Sequence, residues 1–426
     1  MNKKLVGLGM LLAANGAFAQ TASSTSVELY GILDVAVGRV ENSLNTDPNF
    51  PATVNPYSAT KSSVNNSVTG MFNGGISDSR WGIRGSEDLG GGMKAVFTLE
   101  SGINLPSGTL NNGTASLASN SPVATTAGTD TSLNGQLFNR QSNAGLSDAK
   151  LGTITFGRNY APIYDVVVAY DPVQAAQLFS PMGFSGSLGG GGGLTEDVRV
   201  DNSIKYKNAV GAINFGALYK FGGISGNNSA ESAYALNVGY DDGVLGVQAA
   251  YQAFKDGLKT GASAVAGDIA ITNYDTSAYF IAAKYQFGPA TVKGGFESYK
   301  LKTPSDMVNA GAGSIMVNSL YGYTIASTTN FSHSDQTTDL WFVGGDYNFN
   351  PAFNLAVGLY DVKPKASDDL AQKSGNSFYY SVLADYHFSK RTDAYAGWMF
   401  SQYKGDQYAG TNGDNYITAV GLRTKF

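Results

Sequence analysis

Residues 376–388 read NSFYYSVLADYHF, and two kinds of side chain alternate along them. Phe378, Tyr380, Val382, Ala384, Tyr386 and Phe388 fall on one face; Tyr379, Ser381, Leu383, Asp385 and His387 fall on the other. A strict period of two is the signature of a strand. The apolar face begins and ends in aromatics, and a strand that spans a bilayer needs about 9–11 residues with an aromatic girdle at each interface. The pattern returns: Ile213, Phe215, Ala217, Tyr219 and Phe221 oppose Asn214, Gly216 and Lys220; Tyr279, Ile281, Ala283, Tyr285 and Phe287 oppose Lys284 and Gln286; Trp341, Val343, Tyr347 and Phe349 oppose Asp346 and Asn348. A soluble sandwich would alternate in the same way, so period alone does not decide the solvent.

Spacing discriminates better. Very short connections fall at 87–92, 147–152, 207–211, 240–244, 287–290, 349–352 and 388–391. Between them lie long stretches rich in Ser, Thr, Asn and Gly, such as 40–76, 103–137, 160–198, 256–275 and 302–337. Short and long alternate along the whole chain. That asymmetry, with about 16 strands, is what an up-and-down transmembrane barrel shows, all tight turns at one end and all long loops at the other. We expect an all-β fold, a 16-stranded antiparallel transmembrane β-barrel over residues 20–426, with no second domain.

Composition agrees. Aromatics are 12%, Gly is 54 residues, and charged residues are only 14% of the 426, below the usual quarter of a soluble domain. The chain has no cysteine, so a disulfide-stapled domain is excluded. Lys3 and Lys4, an apolar run from about Leu5 to Ala14, and Ala17-Phe18-Ala19 read as a signal peptide over 1–19. Its removal leaves 26 basic and 33 acidic residues, a formal charge of −7, which argues against nucleic acid as a partner.

The stretch DSRWGIRGSEDLGGGMKAVFTLESG (78–102) fits this solvent. Arg80 and Arg84 lie on one side of a strand, and Trp81 and Ile83 on the other. A charge facing lipid at midplane costs roughly 2–4 kcal/mol, so the arginines face water. The same parity makes Glu28, Asp34, Lys94 and Glu100 lumen-facing. The last strand, YITAVGLRTKF, ends on Phe426, an aromatic at the membrane edge, which we expect to act as a terminal assembly signal.

VELYGILDVAVG (27–38), SRWGIRGSEDLGGGMKAVFTLESG (79–102), GTITFGRNYAPIYDVV (152–167), VRVDNSIKYKN (198–208), SKRTDAYAGW (389–398) and the terminal Phe, in this order, make the chain resemble the trimeric 16-stranded general porins of Gram-negative outer membranes, most of all their betaproteobacterial branch. The resemblance implies outer-membrane localisation, a homotrimer in contact with the bilayer and lipopolysaccharide, and passive diffusion of ions and small hydrophilic solutes. It also implies that the third long loop, about 160–198, folds into the barrel and narrows it. Carried over by position, the cationic wall of that constriction is Arg80, Arg140 and Arg199, joined by Arg84 one pleat away, and the acids on the loop are Asp165 and Asp171. The plainer alternative is that these are ordinary solvated lumen residues. By parity with Thr153, Thr155 and Gly157, Arg158 faces outward and wants a partner at a subunit interface. Asn143 is odd on an outward face, the run GSLGGGGGL (186–194) has nothing to pack, and Glu196 and Asp197 sit near the returning strand. Anion against cation preference is left open, with a lean to anions.

Other chemistries find no support. GSEDLGGG lacks the GK[ST] ending of a phosphate loop and leads into a strand. His333 and His387 are the only histidines and lie in different elements, so no metal site is expected. No serine–base arrangement is recognisable, so neither an enzyme nor a cofactor is expected. Two alternatives to a diffusion pore remain. One is a solute-selective channel, for which the scattered inward aromatics Tyr30, Phe280, Tyr360 and Tyr379 would have to form a track. The other is a surface-binding or adhesive protein that uses the long loops.

Overall fold

In the computed structural model the period of two becomes strand after strand. The structure describes residues 25–44, 64–110, 137–183, 199–223, 226, 228–229, 232–255, 275–302, 314–320, 323–329, 336–365, 375–404 and 414–426. The expected signal segment, the glycine run 186–194, Glu196, Asp197 and His333 lie outside these residues. The strands are β1 (Ser26–Leu44), β2 (Val64–Asn73), β3 (Arg80–Gly90), β4 (Met93–Asn104), β5 (Thr109–Leu110), β6 (Gln141–Asp148), β7 (Gly152–Tyr160), β8 (Arg199–Val210), β9 (Ile213–Lys220) and β10 (Ala233–Asp241). They continue as β11 (Leu245–Lys255), β12 (Asp275–Phe287), β13 (Ala290–Lys302), β14 (Ser314–Leu320), β15 (Tyr323–Thr329), β16 (Gln336–Asn350), β17 (Phe353–Pro364), β18 (Asn376–His387), β19 (Thr392–Lys404) and β20 (Asp414–Lys425). Among the described residues one helix, α1 (Pro162–Tyr170), follows β7.

Every neighbouring pair is antiparallel, and β20 returns to β1 in register from Ile32↔Lys425 to Asn42↔Asn415. Gly31 and Phe426 exchange both backbone hydrogen bonds, each 3.1 Å. With β2 and β3 in line as one stave, and with the two-residue β5 and the separate hairpin β14–β15 set aside, the wall is a closed 16-stranded barrel. Closure leaves no free strand edge, which is what lets a sheet stand in hydrocarbon. The turns β3/β4, β6/β7, β8/β9, β10/β11, β12/β13, β16/β17 and β18/β19 are tight and share one end. Tyr279, Ile281, Trp341 and Val343, each about half exposed, stand on the outer face. Among the described residues no helix is long and apolar enough to cross a membrane, and the strands do the crossing.

Two stretches expected as loop contain strand. Residues 64–73 pair with β1 from Val35↔Asn73 to Leu44↔Val64. Their sequence, VNNSVTGMFN, is too polar to show alternation, and β1 supplies the register. The long connection 302–337 carries the hairpin β14–β15.

The second stave is broken between β2 and β3, and the break has a cause in sequence. The Asp34 carboxylate accepts the backbone N–H groups of Gly75 (3.0 Å), Ile76 (3.2 Å) and Ser77 (2.7 Å), and the Tyr395 hydroxyl also donates to it. These bonds hold residues 74–79 away from the ladder. Asp34, expected to wet the lumen, is on the inward face but wholly covered.

Candidate functional site

The inner wall of β3, β4 and β8, with the bends before β3 and β6, gathers the charges that matter. Glu100 on β4 is the hub. Arg140 Nε donates to its Oε1 at 2.8 Å and the Tyr160 hydroxyl to the same oxygen at 3.0 Å, while the Tyr30 hydroxyl donates to Oε2 at 2.9 Å. Asp78 is the second acid: Arg140 Nη1 donates to it at 2.9 Å and Arg199 Nη2 at 3.3 Å. The Tyr160 ring lies 5.8 Å from the Arg140 guanidinium and 6.0 Å from that of Arg199. Arg140 and Glu100 are buried. Charges so covered hold only when paired and hydrogen-bonded, since removing one partner leaves the other unsolvated.

Arg80 stands apart within this group. Its Nε is 3.7 Å from Glu100, beyond a hydrogen bond, and a quarter of its side chain is exposed. Arg84 belongs to a different pair. It meets Glu28 at 2.8 Å and caps the Tyr30 ring at 4.8 Å, both nearer the tight-turn end. Lys94 is exposed two residues beyond its turn.

Of the predicted cationic wall, the structure thus brings Arg80, Arg140 and Arg199 together and leaves Arg84 out. Asp78 went unpredicted, although it shares the parity of Arg80 and Arg84 two residues earlier. Arg140 precedes its strand, so counting inward from it inverts β6. Asn143 in fact pairs across from the inward Thr98 and donates to the Arg158 carbonyl at 3.0 Å, which removes the oddity of a polar residue facing lipid.

Arg158 lies across from Ser142, which lies across from Leu99 on the outward face of β4, so the expected outward parity holds on the β6 side. The register slips only against β8, between Gly157 and Asn159, with Gly157 at φ +124°. Arg158 is buried against its own chain, with its guanidinium on Asp201 and its Nε on the Asn139 carbonyl at 2.7 Å. Arg158 thus already has a carboxylate and a carbonyl partner within its own chain.

The predicted loop acids do not face the arginines. Helix α1 starts with Pro162 at its first turn, where the missing N–H costs nothing. It stops at Asp171, extended at ψ 132° before Pro172, which disfavours the helical region for its predecessor. Ile163, Val166, Val167 and Tyr170 form one buried stripe, laid against β9 to β13. Asp165 is taken by Lys205 at 2.5 Å. Asp171 is fully buried, accepting from the Tyr360 hydroxyl at 2.5 Å and from the Ala175 N–H. Beyond it, Lys293 Nζ donates to the Asp171 carbonyl at 3.1 Å, Leu178 N–H to the Gly75 carbonyl at 2.9 Å, and the Phe179 ring covers Gly397. A Cβ at Gly397 would come within 2.4 Å of that ring.

The inward aromatics form no track. Phe280 stacks on Phe342 at 5.7 Å, Tyr360 is spent on Asp171, and both, with Tyr379, are buried. One cluster bears on the expectation of no metal site. Asp385, His387 and Asp393 bring ligand atoms within 4.8 Å of one another near the β18/β19 turn. Arg423 pairs with both aspartates, at 3.5 Å and 3.1 Å.

A closed antiparallel barrel that is apolar outside, charged inside and closed on a terminal phenylalanine is an outer-membrane β-barrel protein. The chain belongs to the Gram-negative porin family, which it matches over residues 7–406. It is 31% identical over 229 residues to an outer membrane porin protein of Bordetella pertussis, a match over 52% of this chain and 48%, about half, of the relative. It is 29% identical over 324 residues to outer membrane porin protein 32 of Delftia acidovorans, covering 73% of this chain and 76% of that one. Among solved structures it resembles the anion-selective porin from Comamonas acidovorans, with a TM-score of 0.62 and 24% identity, over 94% of this chain and 100% of the other. OmpT of Vibrio cholerae follows the same fold, with a TM-score of 0.55 at 15% identity, over 96% and 99% of the two chains.

Proposed function

We propose that the chain forms a water-filled outer-membrane channel, assembled as a homotrimer, through which ions and small hydrophilic solutes diffuse passively and anions pass more readily than cations. Diffusion calls for no catalytic group, and none is assigned. The stretch from about 160 to 198 acts as the infolded constriction loop; the contacts of residues 161–183 with inward residues of β13, β17 and β19 support this reading. The cationic wall is Arg80, Arg140 and Arg199.

The observation that carries the anion preference is the fate of the acids. Glu100 and Asp78 are consumed inside the arginine cluster, Asp165 by Lys205, and Asp171 by burial on Tyr360. Arg80 is then the exposed charge least compensated at the narrowing, and fixed charge in a low-dielectric opening sets ion preference. The test is conductance of the purified protein in a planar bilayer under a salt gradient. Ohmic steps in threes with a zero-current potential of anion sign support the proposal; absence of conductance rejects the channel, and a cation sign rejects the preference.

A further inference from the structure

Lys207 has no part in the cluster at Arg80. It lies on β8 eight residues beyond Arg199, about 26 Å along the strand at roughly 3.3 Å per residue, and four residues before Gly211 of the tight β8/β9 turn. Its parity is that of Lys205, which meets Asp165 of α1 inside the barrel. Unlike Lys205 it is exposed, and among the described residues no carboxylate lies within ion-pair range of it. The nearest acid, Asp165, is already held by Lys205 at 2.5 Å. Across the ladder its neighbours are Thr153 on β7 and Gly216 on β9. Thr153 in turn faces Ser147 on β6, and their hydroxyls are 2.8 Å apart. The Asn237 side chain covers Gly216, with its Oδ1 2.4 Å from where a Cβ would stand. An ammonium group across the ladder from a hydroxyl pair offers what a small oxyanion takes from a protein: a cation and the one O–H that the Ser147–Thr153 bond leaves free.

We propose that Lys207, with Thr153 and Ser147, forms a second anion station between the constriction and the tight-turn mouth, taking inorganic oxyanions such as sulfate or phosphate. The inference rests on the anion-preferring channel proposed above and adds a separate residue to it. An anion that leaves Arg80 meets a second fixed cation before it reaches bulk water. Two weak stations in series keep either one from holding the ion.

The test uses the purified full-length channel in a bilayer, comparing wild type with Lys207→Gln, Lys207→Glu and Arg80→Gln. Zero-current potentials are read in a potassium chloride gradient, and chloride current is then titrated with sulfate from each side. Lys207→Gln should lower the anion-to-cation permeability ratio about twofold, with a larger fall for Lys207→Glu, as expected of one screened charge in water. It should also weaken the sulfate effect most from the tight-turn side. If both Lys207 variants match wild type while Arg80→Gln shifts the potential, the second station is refuted and the channel reading stands. If Arg80→Gln shifts nothing either, the anion reading fails with it. Heat-modifiable mobility on gels confirms that each variant has folded.

Discussion

The Tyr360 hydroxyl and the Asp171 carboxylate, 189 residues apart in sequence, meet at 2.5 Å inside the barrel. One is on the wall and the other ends α1, so a single hydrogen bond fixes the inner segment to the strand it crosses. Tyr360→Phe removes the donor and leaves a buried carboxylate short of a partner, at a cost of about 1–3 kcal/mol. The expected result is a noisier open channel with faster protease cleavage between residues 161 and 183. Unchanged current noise would count against the anchor.

The same pair has a pH dependence. Burial pushes the Asp171 carboxyl up, opposed by the bonds from Tyr360 and Ala175. A released segment would carry Asp171 at its ordinary carboxylate value, so docking takes up a proton. Acidification through the raised value therefore strengthens docking, and the attachment weakens above it. Noise recorded from mildly acidic to neutral pH should rise with pH in the wild type and lose that trend in Asp171→Asn.

Arg80 and Arg84 should separate by experiment. Arg84→Gln frees Glu28 near the tight-turn mouth, where solvent screens an exposed pair to within about 1 kcal/mol. Arg80→Gln removes the least compensated charge at the narrowing. We expect the zero-current potential to move several-fold further for Arg80→Gln. Equal shifts would place the two arginines in one constriction.

Arg158→Ala, Asp201→Ala and the double variant form a thermodynamic cycle. Because the pair lies within one chain, the three should unfold at temperatures that are not additive, with a coupling of about 0.5–3 kcal/mol. The temperature at which a trimer separates into monomers should hardly move. A large fall in that temperature for Arg158→Ala would return the residue to a subunit interface.

Gly31 tests barrel closure. A Cβ there would lie 2.3 Å from the Phe426 ring, which sits over it at the seam. Gly31→Val should displace the terminal ring and slow folding into detergent micelles or vesicles, as deletion of Phe426 should. Folding at the wild-type rate would show that the seam closes without the ring.

Strand number, turn asymmetry and the two faces of the wall were legible because hydrocarbon outside and water inside impose a period of two that any reader can count. Legibility ended where the backbone breaks that period. The bulge at Gly157 let β8 supply Arg158 with Asp201 as a partner from its own chain, and the bend at Arg140 reversed the apparent faces of β6. The arginine cluster was found through resemblance, yet its acids were misplaced. Asp165 and Asp171 were read as facing the arginines because the resemblance puts acids on the third long loop, whereas Lys205 and Tyr360, distant in sequence, claim them. Nothing local to Asp171 announces that a tyrosine 189 residues away will bury it.

The inner segment touches wall strands that are not neighbours: β8 through Lys205, β13 through Lys293, β17 through Tyr360 and β19 through Gly397, before Leu178 reaches the break after β2. A ring held only by its hoop can flatten into an ellipse at little cost, since each ladder bond turns slightly. A strut tied at several points around the ring must stretch or detach before that happens. If this stretch is the infolded loop proposed above, the bore is set by a brace as well as by strand number, and lateral pressure from the surrounding lipid would reach the narrowing as tension along residues 161–183.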